Sequence, residues 1–386
     1  MLSLRVARGS APTVLLRRLL VAATSAGTGF LLLAALGYAM GHPGNPSAAG
    51  ARLAWCVVPF AAALQLSVTV SRSEPSGRLH SGLAAAGLGR GGVPLLAAAT
   101  TALSCALGSV VALLVFLEVR GGTAPDAFGS DRPLPVAGAL TLLAAVPLLA
   151  AAASAASLWP RRAAPSAPAS ADAEDPGTLS AVTAPAGLPW GAALTAIGLA
   201  IEVTADNLSR STATDLLPLP GGLGSAAPTV LAGWALTAAG MVLAGPGLVH
   251  ACGRLLALHR PGALRLLAGR TLQEESPRIG RPVGVLCAVT AGALAALELY
   301  GTGDRELGPL TGLAAALITI CALGTVLTAA LEARRTREHS TAALVQLGVP
   351  ASLLRAAAGL RCAVVLVVVI PLTVLIAQLA ASPLAV

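Results

Sequence analysis

The residues best suited to chemistry in this chain lie in a basic, polar stretch near its C-terminus, between two long apolar runs. The stretch extends from Leu331 to Ala356 and places Arg334, Arg335, Arg337 and Glu338 ahead of Leu344, Leu347 and Gly348. Guanidinium groups pair with carboxylates or lipid headgroups, and closely spaced leucines fill apolar grooves, so the chemistry on offer is binding rather than bond making. A weaker copy follows residue 70, with Arg72, Glu74, Arg78, Leu83 and Gly87. The same interval of 261 residues separates Leu83 from Leu344 and Gly87 from Gly348.

No catalytic constellation competes with these segments. All 25 basic residues are arginine, and a P-loop needs the lysine of GxxxxGK[ST], so the chain cannot hydrolyse ATP by that route. His42, His80, His250, His259 and His339 are scattered and form no i, i+4 metal pair. The six cysteines form no CxxC pair and read as small apolar packing residues. Nothing resembles a nucleophile elbow. No enzyme activity, no metal and no cofactor is expected in this chain. Glu202 and Glu298 fall in apolar runs near their ends, and both are expected to snorkel to the interface. No charge stands near the centre of an apolar run, which weighs against an ion-coupled carrier.

The elements that must position these residues follow from composition. The chain of 386 residues is 55% hydrophobic and 11% charged, with a mean hydropathy of +0.80, whereas soluble domains carry about 25% charged residues. The fold class is therefore all-α, a polytopic membrane helical bundle. Nine spans are predicted, at 19–40, 52–70, 93–118, 134–158, 188–204, 226–250, 281–301, 309–331 and 358–381. Arg17 and Arg18 precede an apolar run longer than the roughly 7–15 residues of a cleavable signal core, so the first span is read as retained. With the N-terminus inside, 20 arginines fall in inner segments and 5 in outer ones. That asymmetry accounts for the net charge of +8 without nucleic acid. It places both basic segments in the cytoplasm and the C-terminus outside. Residues 159–187, rich in Pro, Ala and Ser, read as a flexible cytoplasmic linker. Residues 254–276, with apolar positions spaced by three and four among arginines, read as a helix lying on the inner leaflet.

The interval of 261 residues also maps Leu33-Ala34-Ala35-Leu36 onto Leu294-Ala295-Ala296-Leu297. It carries spans two and three onto spans eight and nine. Leu4 to Gly9 resembles Leu264 to Gly269 at nearly the same offset. The copies share their span directions, so the chain reads as two parallel repeats about an axis along the membrane normal.

The paired segments resemble the signature of the FtsX-like permease family, in which a basic start, an apolar helix and a Leu-Gly turn follow the second helix. The second copy carries Arg335, Arg337, Glu338, Leu344, Leu347 and Gly348. The first keeps Arg72, Glu74, Arg78, Leu83 and Gly87, with Pro75 and several glycines departing from the pattern. The resemblance covers roughly residues 15–158 and 260–381. It implies a four-helix FtsX-like repeat in 1–158, the linker in 159–187, two linking helices in 188–253 and a second repeat in 254–386. The last helix of that repeat is missing, and the short outer loops depart from relatives with large extracytoplasmic domains.

The resemblance further implies the permease subunit of an ABC transporter in the cell (plasma) membrane. Its partners would be the lipid bilayer and a separate ATPase, as a dimer, that binds the ATP and docks on the two basic segments. A short cytoplasmic helix would carry Arg334, Arg335 and Arg337 against acidic groove residues of the ATPase, and its substrate would be an amphiphilic peptide, lipid, lipoprotein or antibiotic. The alternative is a non-transporting signalling scaffold driven by the same kind of ATPase.

Overall fold

The computed structural model describes residues 12–73, 92–123, 135–159, 187–209, 217–218, 225–226, 228–258, 262–301, 308–346 and 348–381. Ten helices account for nearly all of them: α1 (Pro12–Gly41), α2 (Pro46–Trp55), α3 (Val57–Ser73), α4 (Gly92–Glu118), α5 (Val136–Leu158), α6 (Gly187–Ser209), α7 (Pro228–Leu258), α8 (Ala263–Gly301), α9 (Pro309–Gln346) and α10 (Ala351–Ala381). A two-residue antiparallel ladder between Leu217–Pro218 and Ser225–Ala226 lies in the α6–α7 connection. The helices α2 and α3 act as one span with a break at Cys56. Among the described residues, nine helical segments are long and apolar enough to cross a membrane. The chain is an all-α, multi-pass membrane protein, as its composition predicts.

Proline sets many of the boundaries. Pro12, Pro46, Pro228 and Pro309 each open a helix, where the missing N–H costs nothing and the fixed φ favours the first turn. Pro147, Pro246, Pro277, Pro282 and Pro371 lie inside helices, as membrane helices tolerate when neighbours cover the freed carbonyls.

The helices gather in two groups. In the first, α1 packs against α3, α4 and α5. Leu33, Ala34, Ala112, Phe116, Ala139 and Leu143 form one buried cluster there, and Phe30 meets Phe116 edge to face at 6.1 Å. The hydroxyl of Ser25 donates to the Cys105 carbonyl at 2.9 Å, tying α1 to α4. In the second group α7 packs against α6 and α8, and α8 against α9 and α10. Met241, Cys287, Ala291, Ile376 and Ala377 are its core.

Small residues bring these helices together. A Cβ on Gly280 would fall on the backbone of Pro246, and one on Gly253 would lie 2.8 Å from the Gly269 carbonyl oxygen, so α7 and α8 touch backbone to backbone. Between α6 and α7, Gly191, Gly198, Gly233 and Gly240 form a second glycine-lined contact.

Helix α9 is the seam between the groups, since it contacts α8 on one side and α1 and α3 on the other. Cys321 belongs to the buried cluster of Val21, Leu66 and Val70. Thr24, Thr28, Thr325 and Thr328 are buried along this seam. Each of these hydroxyls donates to a carbonyl of its own helix.

Two expectations need correction. Residues 263–276 do not form a separate helix lying flat, because they continue without a break into the span as the first half of the 39-residue α8. Glycine contact with α7 holds this stretch as one arm of a hairpin. The segment after Leu331 is likewise no separate short helix, because α9 runs unbroken through 38 residues to Gln346. At 1.5 Å per residue α9 is about 57 Å long against a hydrocarbon core of about 30 Å, so its end projects well past the apolar part. Residues 160–186 of the expected linker lie outside the described residues.

Candidate functional site

The basic segment of the second half begins on the last turns of α9. Arg334 and Glu338 are exposed, and Arg335 and Arg337 are half-buried. The helix ends at Gln346. Gly348 then adopts φ +87, a left-handed conformation in which glycine escapes the steric penalty of a Cβ. Its N–H donates to the Val345 carbonyl at 3.0 Å. Such a glycine closes a helix C-terminus, and Pro350 precedes the start of α10. The result is an α9–α10 hairpin that turns at residues 348–350, and both of its helices pack on α8, with little contact between them. The backbone of Leu344 lies in the last turn of α9, and Leu347 lies outside the described residues. In the first copy only Arg72 is described, exposed on the last turn of α3. Glu74, Arg78, Leu83 and Gly87 lie outside the described residues.

The structure brings Arg337 into a joint that the sequence reading missed. Its guanidinium forms an ion pair with Glu275 of α8, and the Nε also donates to the Ala333 carbonyl at 3.0 Å. From α10, Arg361 approaches the other oxygen of the same carboxylate at 4.0 Å and donates to the Thr271 hydroxyl at 2.9 Å. Thr271 and Glu275 are one turn apart on α8 and so present a single face. The side chains of Glu275, Arg337 and Arg361 are 14%, 26% and 12% exposed. One carboxylate thus holds two guanidiniums from two helices in a partly dry setting. Arg337 is engaged inside the chain, against the expectation that it faces acidic residues of a partner.

A related contact lies at the same end of the first group. Arg17 of α1 is buried and donates to the Ser73 hydroxyl at 2.8 Å and to the Ser73 carbonyl at 3.4 Å. Ser73 is the last residue of α3, directly before the first basic segment. In both groups, then, a side chain from the first long helix grips the helix that leads into the basic segment. Offset by 261, Arg17 falls on Arg278, one turn from Glu275. A charged residue recurring at one place in both copies was the available signal.

Glu202 also departs from expectation. It is fully buried between α6 and α7 rather than snorkelling. The Thr237 hydroxyl donates to its Oε1 at 3.0 Å, and Gly233 leaves the room its Cγ occupies. Among the described residues its Oε2 meets no hydrogen-bond partner, and the same holds for the buried Trp234 Nε1, Ser154 Oγ and His250 Nδ1. Glu298 is exposed. Of the histidines, His42 stacks on Tyr38 at 4.2 Å, with the Arg52 guanidinium 3.4 Å from the same ring. His80 and His259 lie outside the described residues, as does the side chain of His339. Four cysteines are buried packing residues, Cys56 is half-buried and Cys362 is exposed. No group of three metal-ligating side chains occurs among the described residues.

Comparison with family models, curated proteins and solved structures found no match to this chain. What the site offers is mechanical. A charged joint fastens α9 and α10, which flank the second basic segment, to α8.

Proposed function

We propose that the chain is the membrane-spanning permease subunit of an ABC transporter of the FtsX-like kind, driven by a separate ATPase and moving an amphiphilic substrate. The supporting observation is the α9–α10 hairpin. Its tip extends past the apolar spans, carries exposed Arg334 and Glu338 near its end, and is fastened to α8 through Glu275. A push on that tip by an ATPase pair closing on ATP would move α8, α9 and α10 inside the bilayer. The resemblance between the groups adds support, since α1 packs on α3 and α4 as α8 packs on α9 and α10. In this reading the chain is not an enzyme, and ATP binds only the partner, which docks from the cytoplasm of a plasma membrane.

The test is co-purification of the tagged chain with an ATPase encoded beside it. Arg334→Glu with Val345→Asp, both exposed in the chain, is expected to abolish the complex while leaving the protein folded. An intact complex in that variant overturns docking on this tip.

Buried Glu202 favours a second reading, a gradient-coupled carrier, because intramembrane carboxylates mark ion pathways. Ion-gradient-dependent uptake by the chain alone in liposomes, lost in Glu202→Gln, would select it.

A further inference from the structure

The Arg-rich end of the second group consists of two hairpins of similar reach. One is α7–α8, whose helices end at Leu258 and begin again at Ala263, and the other is α9–α10, whose helices end at Gln346 and begin again at Ala351. From Glu275 back to Ala263 the helix rises about 18 Å, from Arg337 to Gln346 about 14 Å, and from Ala351 to Arg361 about 15 Å. The hairpins thus run a similar distance beyond one level, and at that level stand Glu275, Arg337 and Arg361.

Within the α7–α8 hairpin the contact is backbone on backbone, at Gly253 with Gly269 and at Gly245 with Gly280. It is reinforced by the buried cluster of Val249, Cys252 and Leu272. Between the hairpins, Val364, Val365 and Val368 of α10 pack on that same cluster, and one turn further along the contact becomes polar. There, Glu275 and Thr271 of α8 receive Arg337 of α9 and Arg361 of α10. Among the described residues Glu275 is the carboxylate that both guanidiniums approach, and each guanidinium comes from a different helix.

We propose that Glu275 is the positioning residue that makes the two hairpins one mechanical body. With it, a displacement of the 348–350 turn carries α8 and α7 along. Without it, the two guanidiniums face each other, and α9 loosens from α8 at this end while the α7–α8 hairpin stays intact. The proposal deepens the permease reading, but its test needs no ATPase, so the two can fail separately.

The experiment measures spin-label distances on the full chain in lipid nanodiscs, in a Cys362→Ser background that removes the exposed native thiol. One label pair spans the hairpins, at Leu266→Cys and Val345→Cys. The other lies within α7–α8, at Leu255→Cys and Leu266→Cys. All three sites are exposed. Glu275→Gln is expected to broaden the distribution between the hairpins and leave the one within α7–α8 unchanged. Arg337→Gln, which keeps Arg361 on the carboxylate, is expected to broaden it less, and it serves if Glu275→Gln does not fold. An unchanged inter-hairpin distribution overturns the proposal. Equal broadening of both pairs also overturns it, because the residue would then support the helices generally rather than join the hairpins.

Discussion

Glu275 of α8 pairs with Arg337 of α9 although 62 positions separate them in the chain, and the same carboxylate draws in Arg361 of α10 from 4.0 Å. Three long helices that leave the bilayer together are thereby fixed at one level. Neutralising one member leaves the others in a partly dry place, where lost solvation is not recovered.

The first prediction concerns that joint. Breaking a buried ion pair by removing one partner costs about 3–5 kcal/mol, and exposed pairs contribute up to about 1 kcal/mol. The partial exposure here sets the expectation for Glu275→Gln between those limits, at about 2 kcal/mol. Thermal unfolding in detergent, with Arg337→Gln and the double variant completing the cycle, measures the coupling directly.

A second prediction concerns Glu202. Thr237→Val removes the hydroxyl that donates to its carboxyl and leaves both oxygens without partners. The expected loss is about 1–3 kcal/mol. Glu202→Met removes the polar group itself and is expected to be close to neutral, so the pair of melting midpoints distinguishes a satisfied polar contact from filled volume.

The glycine contacts supply a third. A side chain at Gly280 would enter the backbone of Pro246, and α7 has nowhere to move because α6 covers its other face. Gly280→Val is expected to cost at least the roughly 1–3 kcal/mol of an overpacked core. Gly292→Val, where a Cβ meets nothing within 4 Å, is the matched control. Limited proteolysis of both variants would show whether only the first loosens α7–α8.

The hairpin tip gives a fourth. Gly348 at φ +87 is expected to tolerate asparagine, while a β-branched residue there is strained by about 1–2 kcal/mol. Gly348→Val should therefore weaken ATPase co-purification more than Gly348→Asn, with the transmembrane fold retained by circular dichroism.

The spans were legible because a bilayer imposes a length and a composition that any apolar run of about 20 residues declares. Pro309 and Gly348 marked the ends of α9 equally well, since each acts through its own backbone. What the sequence concealed was continuity across the membrane boundary. Nothing in Leu331 to Gln346 or in Ala263 to Ser276 breaks a helix, yet the change from apolar to charged residues suggested a new element at each place. Polarity records the solvent around a helix, not where the helix stops. Glu275 was hidden for a related reason, because its partners lie on two other helices and no local spacing points to them. Glu202 was misread because distance from a span end says nothing about which face carries Gly233 and Thr237.

The threonines along α9 have a consequence of their own. Because Thr24, Thr28, Thr325 and Thr328 spend their protons on their own helices, displacement between α9 and α1 strands none of these donors in hydrocarbon. The surface between the two groups is therefore held by apolar packing, with Leu317 against Gly27 and Leu20 and Leu66 against Gly324, and none of these four hydroxyl protons is committed across it.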